Sequence, residues 1–193
     1  MISDRQKEII EVSINLIAQK GIQGLTIKNI SREIGISEAA IYRHYENKIQ
    51  ILLTLLDHFR MISGKLFKEV SELPISALEK IDNLFMKHFK IFAENTSWVA
   101  VIFAEEIFRN EPILINKVRD IVNQNDVLLQ LILKEGQNSG EIRNDAEVEH
   151  LSVITMGALR LFVKKWQYSL YEFNLINEGT NFLNSIKQVI ASK

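Results

Sequence analysis

The sequence contains no cysteine, and only two prolines and eight glycines among its 193 residues. Without cysteine it has no disulfides and no thiolate metal sites, which fits a reducing cytosol. So few turn-forming residues leave little material for an all-β fold, whereas leucine, isoleucine, glutamate, lysine and glutamine follow one another in helix-like order. The composition therefore predicts an all-α protein.

Long apolar runs and targeting patterns are also missing. The longest uninterrupted apolar run is Trp98 to Ala104, far shorter than the roughly 20 residues that cross a bilayer as a helix. The N-terminus lacks a basic segment followed by an apolar one, so no secretory signal is expected. We therefore expect a cytoplasmic protein that has no membrane partner.

The motifs of common enzyme classes are absent too. The chain has no Gly-x-Gly pair, no Gly-x-Ser-x-Gly and no phosphate-binding Gly-Lys loop. One Glu-x-x-His runs from Glu147 to His150, but a carboxylate di-metal bundle needs two. A lone regulatory metal at His88, Glu105, Glu106 or His150 is an open alternative. The sequence predicts no enzyme and no cofactor.

Charge gives little support to non-specific nucleic-acid binding. The formal net charge is −1, and the first 48 residues are barely basic. Any DNA affinity would therefore depend on where individual cations such as Lys28, Arg32, Arg43 and Lys48 point, and on the pairing of two such segments.

The most informative stretch is residues 26–48, TIKNISREIGISEAAIYRHYENK. Thr26 is a candidate N-cap for a short helix that Gly35 ends, and Ser37 is a candidate N-cap for a second helix from about Glu38 to His44. Two helices joined by a three-residue turn form a helix-turn-helix, whose second helix suits the DNA major groove. The alternative is a plain helical hairpin inside an all-α domain.

Side chains at the tip of the second helix would meet base edges, and those farther along would meet phosphates. Lys28 suits a guanine edge or a phosphate. Glu38 suits a cytosine amino group, although a carboxylate is equally favoured there by the helix dipole. The predicted DNA-binding residues are Thr26, Lys28, Ser37, Glu38, Ala39, Ala40, Tyr42, His44 and Lys48.

This stretch resembles the TetR family of bacterial one-component regulators, which has T-x-x-x-I-A-x-x-A-G-V-S-x-x-x-x-Y-x-H-F-x-x-K. The matching positions, without a gap, are Thr26, Ile30, Gly35 to Ser37, Ile41, Tyr42, His44, Tyr45 and Lys48. Ser31 and Ile34 stand where the family usually has alanine, and the tip from Glu38 to Ala40 also departs. The resemblance implies a three-helix DNA-binding head and a body whose ligand moves two heads apart.

Apolar periodicity and capping residues predict about nine helices. The expected helices span residues 4–21, 26–34, 38–44, 49–73, 76–95, 98–108, 112–138, 145–169 and 174 or 177 to 191. Asp145 is the expected cap of the eighth helix. We therefore expect an N-terminal helix-turn-helix domain at 1–48 and a helical ligand-binding and dimerisation domain at 49–193.

Phenylalanines concentrate on consecutive helices of the predicted body. Such a row is more often plain core than a ligand site, but the resemblance implies a pocket among these helices for a small apolar or amphipathic inducer. The predicted ligand-binding residues are Phe85, His88, Phe89, Phe92, Phe103 and Arg160, with Tyr168 as a further polar candidate. A solid core, or a protein partner, is the alternative.

The last two long helices carry more apolar residues than one neighbour needs, so we expect them to form a two-fold four-helix bundle. The predicted interface residues are Leu151, Ile154, Ala158, Phe162, Trp166, Phe182, Leu183, Ile186 and Val189. Such a homodimer would bind a palindromic operator. The function predicted is a repressor that an inducer releases from DNA; an activator or a partner-controlled regulator is the alternative.

Overall fold

The computed structural model describes residues 3–103 and 107–192. Within these ranges the chain forms nine α-helices, so the predicted all-α fold is confirmed. They are α1 (Asp4–Gly24), α2 (Ile27–Ile34), α3 (Glu38–Tyr42), α4 (Lys48–Ser71), α5 (Ala77–Glu94), α6 (Thr96–Ile102), α7 (Pro112–Ser139), α8 (Val148–Tyr168) and α9 (Leu175–Ile190). No helix in the described part of the chain is both long enough and apolar enough to cross a membrane.

Packing divides the chain into two compact units. The first contains the described residues up to Met61 and Thr96–Asp120, and the second contains Ile62–Asn95 and the described residues from Ile121 onwards. Two of the three unit boundaries therefore fall inside helices, α4 and α7, and the third falls between α5 and α6. The predicted division at residue 48 separates DNA binding from ligand binding and not one packed unit from another, and it stays a prediction.

The first unit is built on the three N-terminal helices. Ile9 of α1, Ile30 of α2 and Ile41 of α3 are each completely buried. Helix α6 packs against α1 and contributes the buried side chains of Val99 and Val101. The first unit thus contains α6 as well as the helix-turn-helix.

The second unit is held together by α5, α8 and α9, with α9 packing on both of the others. Two ion pairs fix α5 to its neighbours. The buried Lys80 ammonium lies 2.7 Å from a Glu135 carboxylate oxygen of α7, and the Lys187 ammonium of α9 lies 2.8 Å from Asp82. Because Lys80 is almost fully buried, losing Glu135 would leave a charge without compensation.

Three of the predicted helix boundaries differ from the structure by three residues or more. Helix α6 ends at Ile102 rather than near Phe108. Ile107 and Phe108 are buried in the first unit, and this burial accounts for their apolar side chains without a continuing helix. Helix α8 begins at Val148. Its predicted cap, Asp145, instead receives hydrogen bonds from the guanidinium of Arg143. Helix α1 loses helical geometry at Gly21, as predicted, at φ 66° and ψ −175°, but one further turn follows.

Candidate DNA-binding interface

The α2–turn–α3 unit is shaped by three local contacts. The Thr26 side chain accepts a hydrogen bond from the Asn29 N–H, at 3.1 Å. Gly35 then ends α2 in the left-handed region, at φ 78°. The Ser37 side chain accepts from the Ala40 N–H, at 3.2 Å, and starts α3. Both caps and the glycine stop are those that the sequence predicted.

Buried side chains fix α2 and α3 beneath this turn. Ile30 and Ile41 are fully buried and Tyr45 is almost so. Burial raises the pKa of the Tyr45 phenol, so the ring enters the core as a neutral group. The packing leaves the opposite side of α3 to solvent.

Most of the predicted DNA-binding side chains are exposed, on α3 and on the segments that flank it. Tyr42 is 52% exposed, which is unusual for a large ring and is consistent with a contact surface. The exposed members of the predicted set are Thr26, Lys28, Ser37, Glu38, Ala39, Tyr42 and Lys48, and the half-buried members are Ala40 and His44. The structure thus brings none of the nine into the core.

The start of α4 adds residues that the predicted set left out. The Asn47 side chain accepts from the Gln50 N–H, at 3.1 Å, and the Gln50 side chain accepts from the Glu46 N–H, at 2.9 Å. These two hydrogen bonds hold the start of α4, where Lys48 is the first residue. Arg43 is a further exposed cation. The asparagine before an apolar helix was readable in the sequence as a cap.

The predicted ligand residues of α5 lie in a continuous aromatic cluster. The Phe85 and Phe89 rings meet edge to face, with centroids 5.9 Å apart, and Phe89 meets Phe162 of α8 at 5.7 Å. Phe162 in turn stacks on Phe182 of α9 at 4.4 Å. A methyl group added at Gly179 would lie 2.5 Å from the Phe89 ring. These rings fill the space between the three helices.

The remaining predicted ligand residues are placed differently. His88 and Phe92 are ring neighbours, 5.9 Å apart, beside the cluster. Arg160 is half-buried on α8, and Phe103 belongs to the first unit. Tyr168 is 73% exposed, with the Lys164 ammonium 5.3 Å from its ring centre, so its proposed role as an interior polar anchor is wrong.

An open groove lies elsewhere in the second unit, between α4 and α7. It has a volume of about 430 Å³ and is lined by Gly64, Lys68, Asn123, Gln124, Val127 and Leu128. None of these residues is in the predicted ligand set. Three of the predicted ligand residues, Phe85, Phe89 and Phe92, are instead buried in the core.

Four predicted dimer residues are buried by their own chain. Leu151, Trp166, Leu183 and Ile186 are each less than 10% exposed, because α8 and α9 turn these side chains towards each other and towards α5. They therefore offer no surface to a partner. Of the others, Ile154 and Val189 are exposed, and Ala158, Phe162 and Phe182 are half-buried.

The sequence left a lone regulatory metal as an alternative. In the described part of the chain, no three His, Asp or Glu side chains lie close enough together to hold a metal ion. Glu105 and Glu106 lie outside the described residues. His88 is instead bonded to a backbone oxygen, with Nδ1 2.6 Å from the Leu84 carbonyl, and burial lowers its pKa.

Comparison with known proteins agrees with the geometry of the helix-turn-helix. A family model described as bacterial regulatory proteins, tetR family, matches residues 9–55, and one described as YsiA-like protein, C-terminal region, matches residues 58–190. The fatty acid metabolism regulator protein of Bacillus subtilis (strain 168) is 24% identical over 189 residues, which cover 96% of this chain and 95% of that protein.

Two solved structures share the fold. FadR from Bacillus subtilis in complex with stearoyl-CoA gives a TM-score of 0.82 at 24% identity, over 93% of this chain and 96% of that one. KstR2 of Mycobacterium tuberculosis, a ketosteroid transcriptional regulator, gives 0.83 at 18% identity, over 100% and 98%. Because the family models span both the helix-turn-helix and most of the remaining helices, the chain belongs to the TetR family of DNA-binding transcriptional repressors, which are not enzymes, and its C-terminal region is YsiA-like.

Proposed function

We propose that this repressor binds a palindromic operator as a homodimer in the cytoplasm, through a head at residues 1–48, and that an acyl-chain ligand held by the body at 49–193 releases it. The observation that carries the DNA-binding part is the capped α2–turn–α3 unit with an exposed outer face. The ligand class is taken from the B. subtilis FadR structure, which contains stearoyl-CoA, and from the phenylalanine-rich core of this chain.

DNA contacts divide between reading and anchoring. Glu38 and Ala39 stand exposed in the first turn of α3, where a helix-turn-helix presents side chains to base edges. Tyr42 and Lys48 are exposed farther along and suit phosphate oxygens. Glu38 also stabilises α3 through the helix dipole, so its base-reading role needs a separate test.

The dimer interface is reassigned to the exposed face of α8. Ile154, Leu161 and Tyr168 recur every seven residues, and all three are well exposed. Gly157 lies between them, with open space where a side chain would stand. Such a stripe suits the close packing of two helices about a two-fold axis. Val189 extends the apolar surface onto α9.

The dimer would set two heads one turn of DNA apart, about 34–36 Å. Signalling then needs a path from the body to each head. Helix α4 is continuous from Lys48 to Ser71, and α6 packs on α1. Trp98 of α6 meets Phe59 of α4 edge to face, at 4.6 Å. Displacement of α4 or α6 would therefore move the helix-turn-helix.

Selection of binding sites from random duplexes tests the DNA-binding proposal. A palindromic consensus is expected from the wild-type protein, and the Glu38→Gln variant should select a different base at one position in each half-site. An unchanged consensus would assign Glu38 to the helix dipole alone. Failure to enrich any sequence would contradict operator binding by the free protein.

Stearoyl-CoA then tests the ligand. Added to the protein on its selected operator, it should lower the fluorescence anisotropy of labelled DNA, whereas CoA without an acyl chain should not. Release by CoA alone would contradict the role of the apolar core. Retention of DNA at saturating stearoyl-CoA would contradict the ligand class.

A further inference from the structure

His58 lies at a contact between helices of the first unit. It belongs to α4, and its ring centroid is 5.5 Å from that of Trp98 on α6. Trp98 also meets the neighbouring Phe59 edge to face, at 4.6 Å. Helix α6 packs in turn on α1, which carries Glu11. Because His58 is half-buried, its imidazole is part of the packing that joins α4 to α6.

The charges around the His58 ring come, within the described residues, from α1, α4 and α7. Helix α6 contains no ionisable side chain. On α1, the exposed Glu11 acts on His58 through its charge. On α4, the neighbouring Asp57 lies 2.5 Å from the Lys117 ammonium of α7 and 3.3 Å from the Arg60 guanidinium. The Asp57 charge is therefore compensated, and Glu11 is the charge that favours a protonated His58.

Burial opposes the protonation of His58 more strongly than Glu11 favours it. An imidazolium that is taken out of water loses hydration, which disfavours the charged form. Burial therefore lowers the pKa of His58 from its ordinary value of 6.5, although Glu11 acts to raise it. At neutral pH the ring is uncharged and packs on Trp98. Below about pH 6.5, an arrangement that exposes His58 to water binds more protons than the packed arrangement does.

We propose that His58 makes operator binding sensitive to acid, because its protonation separates α4 from α6 and so displaces the helix-turn-helix. The displacement follows from the packing of the first unit, in which α6 rests on α1 and α4 begins shortly after α3. The stability of the α4–α6 contact is fully present above pH 6.5 and is lost as the pH falls through the lowered pKa of His58. Acid thus acts within the first unit and needs no ligand.

Operator affinity measured against pH tests the inference. Fluorescence anisotropy on the selected operator compares the full-length wild-type protein with His58→Phe, which keeps a ring beside Trp98 but cannot be protonated. Between pH 7.5 and pH 5.5, the wild-type affinity should fall relative to that of His58→Phe by up to about 10-fold. This is the limit for a histidine that protonates with an ordinary pKa in the displaced arrangement only. The ratio of the two proteins at each pH cancels the titration of His44, a predicted DNA-binding residue.

The pKa of His58 separates this role from a purely structural one. Histidine Cε1–H signals titrate in NMR spectra, and the signal missing from His58→Phe identifies His58 among the four histidines. Its pKa should lie below 6.5 in the free protein. Saturating operator should lower it further, because DNA selects the packed arrangement, whereas the negative charge of DNA alone would raise it. His58→Gln, which also lacks an ionisable ring, replaces His58→Phe in both experiments if that variant does not fold.

Three results would each overturn the inference. They are an affinity ratio that stays constant from pH 7.5 to pH 5.5, a His58 pKa of 6.5 or higher in the free protein, and a pKa that operator leaves unchanged or raises. Failure of the wild-type protein to bind any operator would contradict the operator-binding proposal, and the inference would fail with it. The acyl-ligand proposal stands or falls separately, because these measurements contain no ligand.

Discussion

Helix α3 and the aromatic face of α5 present their side chains in opposite ways. On α3, Tyr42 is 52% exposed, whereas on α5 Phe89 is completely buried. A surface such as that of α3 is already formed and can meet DNA without rearrangement. A ligand can reach the buried α5 rings only if they first separate, because close-packed protein interiors contain few voids.

Ligand binding at the α5 cluster is therefore expected to depend on the stability of the fold, whereas DNA binding at α3 is not. Opening the α5 cluster exposes apolar surface, so the ligand would stabilise an expanded state that is rare in the free protein. DNA binding has no such cost, because its contacts do not depend on the buried rings. Substitutions in the two regions should therefore differ first in their effect on unfolding.

The largest effect is expected for Phe89→Ala. Removing a buried ring that touches Phe85, Phe162 and the Gly179 backbone should lower the free energy of unfolding by about 3–5 kcal/mol. Urea unfolding at 25 °C measures this, with Tyr42→Ala as the exposed counterpart, for which about 0.5 kcal/mol or less is expected. A Phe89→Ala loss as small as that of Tyr42→Ala would show that the α5 rings line an open pocket.

Next in size is Leu161→Asp on the exposed face of α8. A charge at the centre of the proposed interface should cost about 2 kcal/mol or more of dimerisation free energy, as the loss of a hot-spot residue does. The dimer dissociation constant should therefore rise roughly 30-fold or more. Operator binding should weaken with it. Sedimentation equilibrium measures the dimer, and Val122→Asp, at an exposed valine of α7, is the control. Equal dimerisation by both variants would place the interface elsewhere.

A smaller effect, on DNA binding, is expected for Lys48→Ala at the start of α4. If Lys48 neutralises one phosphate, the slope of log affinity against log salt should fall by about one unit, and by the same amount on every duplex. Lys65→Ala is the matched control, because Lys65 is an exposed lysine later in the same helix. An unchanged slope for Lys48→Ala would remove Lys48 from the interface.

The smallest effect is expected for Tyr42→Phe, which keeps the ring and removes the hydroxyl. Loss of one hydrogen bond to a phosphate should weaken operator binding by about 0.5–1.5 kcal/mol, while unfolding should not change. Anisotropy titration on the selected operator measures it. Wild-type affinity would mean that the ring contributes by packing alone.

The two regions also differ in how far the sequence could predict them. Thr26, Gly35 and Ser37 act on residues within four positions of themselves, so local chemistry was enough to place both helices and the turn. Asp145 failed as a cap because Arg143, two residues earlier, competes for its carboxylate. Local chemistry thus predicts an element well when no charged neighbour takes its capping group.

Which faces of the later helices are buried depends on packing between segments that are distant in sequence. Leu183 and Val189 both lie on α9 and are both apolar, but Leu183 is buried and Val189 is 49% exposed. An apolar pattern indicates which helix faces are covered, but it does not indicate whether the same chain or a second chain covers them. For the same reason the sequence did not show that Phe162 and Phe182, both assigned to a dimer contact, also stack on each other within one chain.

Reciprocal linkage tests the central claim most directly. Stearoyl-CoA is titrated into the protein with and without saturating operator, and operator is titrated with and without saturating stearoyl-CoA. The account predicts that each weakens the other by the same factor, roughly 5- to 150-fold for a coupling of about 1–3 kcal/mol. Tight binding of stearoyl-CoA with an affinity that operator leaves unchanged would contradict it.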